Sequence, residues 1–218
     1  MNPILSLTDA LARFRGAGGK EENLAEQFGL LADYLLRGGY IAVGDTRRIY
    51  LRDVEFYYHE EEGPVKDPVM YPRNPPAAEL PYLPLGSLYP HVSGIDIAFE
   101  NPDRCYRASA LVRGYNLLDG DAPLPAGYET RSTYLYEALL CGPSLADGIR
   151  LAWVPAPVLD DDDEIVCSVR RNVPLFSPDG DKLPYLDEGV PTENRRHLQD
   201  PRPWRFIRRI NQQDTTPR

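Results

Sequence analysis

Between Glu21 and Arg37 apolar residues recur at helical spacing. Leu24, Phe28, Leu31 and Leu35 stand at i, i+4, i+7 and i+11, and Gly38-Gly39 follows. The pattern predicts an amphipathic helix over 21–37 that the glycine pair ends. A shorter capped helix over 8–15, "TDALARFR", precedes it and stops at "GAGG". Beyond residue 39 the period falls to two. "YIAVG" (40–44) and "RRIYLRDVEFYYH" (47–59) read as strands. In the second, Ile49, Leu51, Val54 and Phe56 alternate with one slip, the signature of a β-bulge. Strand patterns return at 93–100, 106–115, 149–155, 164–175 and 203–210, and "STYLYEALLCG" (132–142) reads as a helix. Residues 63–86 form a Pro-rich connection of a length at which loops tend to be functional or disordered. Strands outnumber helices and no repeat is present. The expected fold is one α+β domain, with a curved, mostly antiparallel sheet and helices at its N-terminal side and over one face. Within 1–218, residues 1–45 make a helical part, 46–210 the core and 211–218 a tail.

The chain has 218 residues, enough for one large domain or two small ones. No apolar run reaches the length of a membrane span, and the N-terminus lacks a basic region followed by a long apolar stretch, so a cytoplasmic protein is expected. Cys105, Cys141 and Cys167 are odd in number and form no CxxC pair, which suggests buried reduced thiols. The net charge of −9 argues against general affinity for phosphate backbones. The charge is uneven: residues 191–218 hold seven Arg against Glu193, Asp200 and Asp214, a net of +4 that leaves −13 on the rest. The run Asp160-Asp161-Asp162-Asp163-Glu164 lacks the glycine and spaced ligands of a calcium loop and reads as a solvated turn. His59, His91 and His197 have no metal-ligand spacing, and no GxSxG elbow is present, so no metal or cofactor is expected.

The stretch "RDVEFYYH" (52–59) sets Glu55 among Phe56, Tyr57 and Tyr58. A carboxylate so placed is either a sheet-rim residue or an acid–base group beside a slot for something flat.

Six segments stand in an informative order: "EFY" (55–57), "DPVMYPRN" (67–74), "GSLYPHVSGIDIAF" (86–99), "ALVRG" (110–114), "CGPSLADG" (141–148) and "DPRPWRFIRR" (200–209). In order and spacing, over roughly residues 48–210, the chain resembles the alkyladenine (3-methyladenine) DNA glycosylase family. The resemblance implies that family's fold and a monofunctional enzyme that flips a modified base and hydrolyses its N-glycosidic bond, leaving an abasic site. It implies Glu55 as general base and Arg113 as the Arg that holds water near it. Tyr57 and His91 would stack on the base, Tyr71 would occupy either the pocket position where the family has His or the position just before P-R-N, and Asp96 or Glu100 would lie near the base-discriminating Asn. Arg73, Arg205, Arg208 and Arg209 are candidates for the DNA backbone. The bulky wedge of the family is replaced by Ser93-Gly94, so it is either missing or supplied from elsewhere, by Tyr82 or Tyr89. The altered pocket fits either an alkylated purine, in repair, or a bulky phage base such as glucosylated hydroxymethylcytosine, in defence. DNA containing a modified base is thus the expected partner of a monomer. Two alternatives stay open: an inactive nucleic-acid-binding module of the same fold, and a hydrolase of small glycosides or nucleosides pairing Glu55 with Glu60, Glu61 or Glu62.

Overall fold

The computed structural model describes residues 5–67, 69–70, 81–125, 127–140, 150–156, 163–171, 173 and 200–210. The helix read at 21–37 forms as α2 (Glu22–Arg37), and the N–H of Gly38 closes its last turn on the Tyr34 carbonyl at 2.7 Å. The helix expected over 8–15 is shorter. α1 spans Leu7–Leu11, with the Ser6 side chain accepting from the N–H of Asp9. It stops early because Phe14 must reach the core, where it stacks on Phe28 at 5.5 Å. Gly16 then turns the chain at φ +74°, and a side chain there would press on the Tyr58 hydroxyl.

Eight strands follow around one helix: β1 (Gly39–Val43), β2 (Arg47–Glu60), β3 (Leu88–His91), β4 (Gly94–Ala98), β5 (Tyr106–Asp119), α3 (Ser132–Leu140), β6 (Leu151–Pro155), β7 (Asp163–Ser168) and β8 (Arg205–Ile210). Among the described residues they form a curled antiparallel half-barrel, six of them in the order β3-β4-β5-β2-β1-β6, with β8 joined to β2 and β7 to β8. β2 pairs with β5 along its length, while its other edge takes β1 near the start and β8 around residues 53–55. The slip in the hydrophobic pattern is real: the β2–β5 register shifts between Leu51 and Val54. No helix among the described residues is long and apolar enough to cross a membrane.

Period-two alternation divides the sheet into two chemically different faces. Val54, Phe56 and Tyr58, beside Ala108, Ala110 and Val112, meet the buried stripe of α2; Phe28 stacks on Phe56 at 4.6 Å and Trp204 meets Phe28 edge-on at 5.3 Å. The opposite face carries Glu55 and Tyr57 on β2, Ser109, Leu111 and Arg113 on β5, and Asp96 on β4.

Three local expectations change. The strand read over 164–175 ends at Ser168, because Arg170 turns inward and is fully buried. Asp163 is not solvated: it opens β7 and takes the buried Arg208 guanidinium at 2.5 Å. Cys167 is exposed and Cys105 only partly enclosed, so neither is a fully buried thiol. Cys141 and residues 160–162 lie outside the described residues.

Candidate active site

The site is a row across four strands. Asp96 on β4 faces Leu111 on β5, Leu111 faces Glu55 on β2, and Glu55 faces Arg205 on β8. Partners directly opposite on a sheet point to the same face, so these side chains share the polar side. Glu55 is fully enclosed. Its Oε2 accepts from Arg113 Nε and from the Tyr57 hydroxyl, both at 3.0 Å, and its Oε1 accepts from the N–H of Arg171 at 2.7 Å. Arg113 also donates to Ser132 Oγ at 3.2 Å and to the Arg171 carbonyl at 2.9 Å, tying the start of α3 and the 170–171 segment to the carboxylate. Charge-assisted hydrogen bonds of this kind fix geometry as well as adding energy.

Tyr57 is held as a donor. Burial, and then the negative charge of Glu55, push its phenol well above the usual tyrosine range. The Arg170 guanidinium lies over the Tyr57 ring at 4.8 Å and covers one of its faces. Arg170 itself donates to Asp67 Oδ2 at 2.5 Å, to the Phe56 carbonyl at 3.2 Å and to Asp200. Burial raises the Asp200 carboxyl, but hydrogen bonds from Arg202 and the charge of Arg170 outweigh it, and the net shift is downward.

At the far end of the row, His91 Nε2 lies 3.2 Å from Asp96 Oδ2, in ion-pair range but off the hydrogen-bonding direction. Its Nδ1 accepts from the N–H of Ser93 at 3.3 Å, and Tyr89 stacks on the imidazole at 5.8 Å.

Glu55, Arg113 and Tyr57 are therefore brought together, and His91 and Asp96 sit on the same face one strand beyond Leu111. Glu100 is not with them: it accepts from the N–H of Leu83 at 2.7 Å and pairs with Arg107 at 3.4 Å. Tyr82 is committed as well, donating to Glu61 at 2.5 Å beneath Arg107. Arg205 and Arg208 do not present guanidinium groups to a DNA backbone. Arg205 is buried in a two-pronged pair with Asp53, and Arg208 in the pair with Asp163. Arg209 is exposed. Tyr71 and Arg73 lie outside the described residues.

The second carboxylate that a two-acid glycosidase needs does not come from Glu60–Glu62. Glu60, which ends β2, lies roughly 16 Å along the strand from Glu55 at about 3.3 Å per residue and points to the other face, well beyond a catalytic acid pair. Glu60 is tied to Tyr58 and the N–H of Val65, and Glu61 to Arg107. Among the described residues, no cluster of His, Cys, Asp or Glu could hold a metal ion.

Sequence reasoning missed Ser109, Ser132 and the 170–171 segment. Ser109 was readable, because it stands two and four positions before Leu111 and Arg113 on one strand. The other two come from chain remote in sequence, with no local signal. Comparison with known proteins finds no matching family model, no matching curated protein and no matching solved structure.

Proposed function

We propose that the protein is a monofunctional DNA glycosylase that flips an abnormal base and hydrolyses its N-glycosidic bond. One observation carries this reading: a fully enclosed carboxylate, Glu55, sits mid-sheet with Arg113, Tyr57 and a backbone N–H aimed at its two oxygens. A base within a duplex is out of reach, so it must leave the stack, at a cost of a few kcal/mol. Stacking on an aromatic such as Tyr57 offsets roughly 1–3 kcal/mol of that. Glu55 then takes a proton from water as the sugar gains oxocarbenium character, and its negative charge stabilises the developing cation. Arg113 orients the carboxylate. Lys66 bonds to the carbonyls of Glu60 and Glu61 rather than joining the Glu55 cluster, in keeping with hydrolysis by water and an intact abasic site as product.

Two substrate classes fit, an alkylated purine and a bulky hypermodified base of phage DNA. The test is strand breakage. Plain DNA, methylated DNA and DNA carrying glucosylated hydroxymethylcytosine are incubated with the protein and then heated in alkali. Breaks on one modified DNA that drop at least about 100-fold in Glu55→Gln are expected. No breaks on any DNA, or breaks undiminished in the variant, would replace this reading with a binding module.

A further inference from the structure

Besides His91 Nε2, two polar groups on the face of Glu55 are enclosed yet have no hydrogen-bond partner among the described residues: Asp96 Oδ1 and Ser109 Oγ. Both residues are almost wholly buried, Asp96 at 4% and Ser109 at 1% exposure. Nine such atoms are found among the described residues, and each forfeits its hydration and gains nothing in return. Their positions are informative. Ser109 stands directly opposite Tyr57 and is a diagonal neighbour of both Glu55 and Asp96. Diagonal neighbours on a sheet lie about 7–8 Å apart and strands about 4.8 Å, so Ser109 stands within one heterocycle's reach of Asp96 on one side and of Glu55 on the other, while Asp96 and Glu55 are two strands, about 10 Å, apart. The buried Leu111 lies between Asp96 and Glu55 on the same face.

We infer that Ser109 and Asp96 form the recognition edge for the leaving group, and that the group they read is an amino-bearing heterocycle of the adenine or cytosine type. Asp96 Oδ1 accepts from the exocyclic amine, and the Ser109 hydroxyl donates to the adjacent ring nitrogen. The two orphans then pair with the donor and acceptor of one amidine edge. His91 Nε2 lies 3.2 Å from the other Asp96 oxygen without a hydrogen bond to it. The recognition edge rests on the glycosylase reading for what happens next at Glu55, but the recognition itself needs no chemistry.

The test therefore uses binding. Adenine and cytosine are titrated against the full chain calorimetrically, beside purine and pyrimidin-2-one, which lack the amino group. The wild type is expected to favour at least one amino base over its deamino analogue by about tenfold or more. Ser109→Ala and Asp96→Leu should each erase most of that ratio. Thermal melts of the same variants separate recognition from scaffolding. Removing an orphan hydroxyl should leave the midpoint of Ser109→Ala unchanged or higher, whereas a structural role would lower it. Absence of amino discrimination in the wild type, an unchanged ratio in well-folded Ser109→Ala, or a lowered melt for that variant would each overturn the inference. Discrimination without cleavage of any DNA would leave the recognition edge standing and remove the glycosylase.

Discussion

Replacing Arg170 with Met should be among the most damaging single changes to the fold, although the residue lies outside the apolar core. Its side chain is fully buried between Asp67 and Asp200, donates to the Phe56 carbonyl, and covers the rings of Tyr57 and Trp204 at 4.8 and 5.1 Å. Met fills much of the volume but cannot answer the carboxylates. Asp200 keeps Arg202, while Asp67, which is completely enclosed, loses its guanidinium. Removing one partner of a buried ion pair costs about 3–5 kcal/mol, against a total stability of roughly 5–15 kcal/mol for a domain. At about 2–4 °C per kcal/mol for a chain of this size, the midpoint of thermal unfolding should fall by roughly 6–20 °C. Urea unfolding at pH 7 can be followed by tryptophan fluorescence, since Trp204 packs on the guanidinium. The pH dependence adds a sign. Asp200 has a folded-state pKa below its unfolded value, so its contribution is present above the ordinary carboxylate range and is lost as pH falls through the folded pKa. The gap between wild type and Arg170→Met should accordingly narrow below about pH 4. Adding Asp67→Asn should recover part of the loss by removing the uncompensated charge. A destabilisation under about 1 kcal/mol at pH 7, with unchanged denaturant sensitivity, would refute the reasoning, because it would mean that these carboxylates do not depend on Arg170.

Arg113→Lys keeps the charge but loses the fork that joins Glu55 to Ser132 and the Arg171 carbonyl; strand breakage should slow by about tenfold or more while melting changes little. Burial, then the charge of Lys66, lowers the pKa of His59, so the unfolded chain binds its proton first and stability should fall as pH drops through about 6.5. His59→Asn should flatten that slope, which is at most about 1.4 kcal/mol per pH unit, in urea titrations at pH 7 and pH 5. Arg208→Gln should lower the melting midpoint through the stranded Asp163, while Arg209→Gln should leave it unchanged. If Arg209 contacts phosphate, its loss should also reduce the salt dependence of DNA binding by about one unit of slope.

What could be read in advance followed from periodicity. The spacing of Leu24, Phe28, Leu31 and Leu35 placed α2 almost to the residue, and one slip between Leu51 and Val54 marked the bulge. The joint site of Glu55 and Arg113 was implied only by the resemblance, and the two side chains lie 3.0 Å apart. Illegible in the sequence were contacts that join distant chain through charge. Arg205 and Arg208 look alike whether they face solvent, phosphate or a carboxylate, and their partners lie 152 and 45 residues away. Arg170 was read as part of a strand for the same reason: nothing local announces that Asp67 and Asp200 await it.

The two-sided pairing of β2 has a consequence for synthesis. Its edge beside Glu55 is completed only by β8, and the Asp53–Arg205 pair closes a separation of 152 residues. At about 5–20 residues per second on the ribosome, β2 waits roughly 8–30 s for that partner. During the wait, the edge from Asp53 to Glu55 has no β8 to cover it, next to the large apolar side chain of Phe56. The nascent chain is then open to mispairing at the strand that carries Glu55, and the yield of folded protein should improve when translation is matched by chaperone capacity.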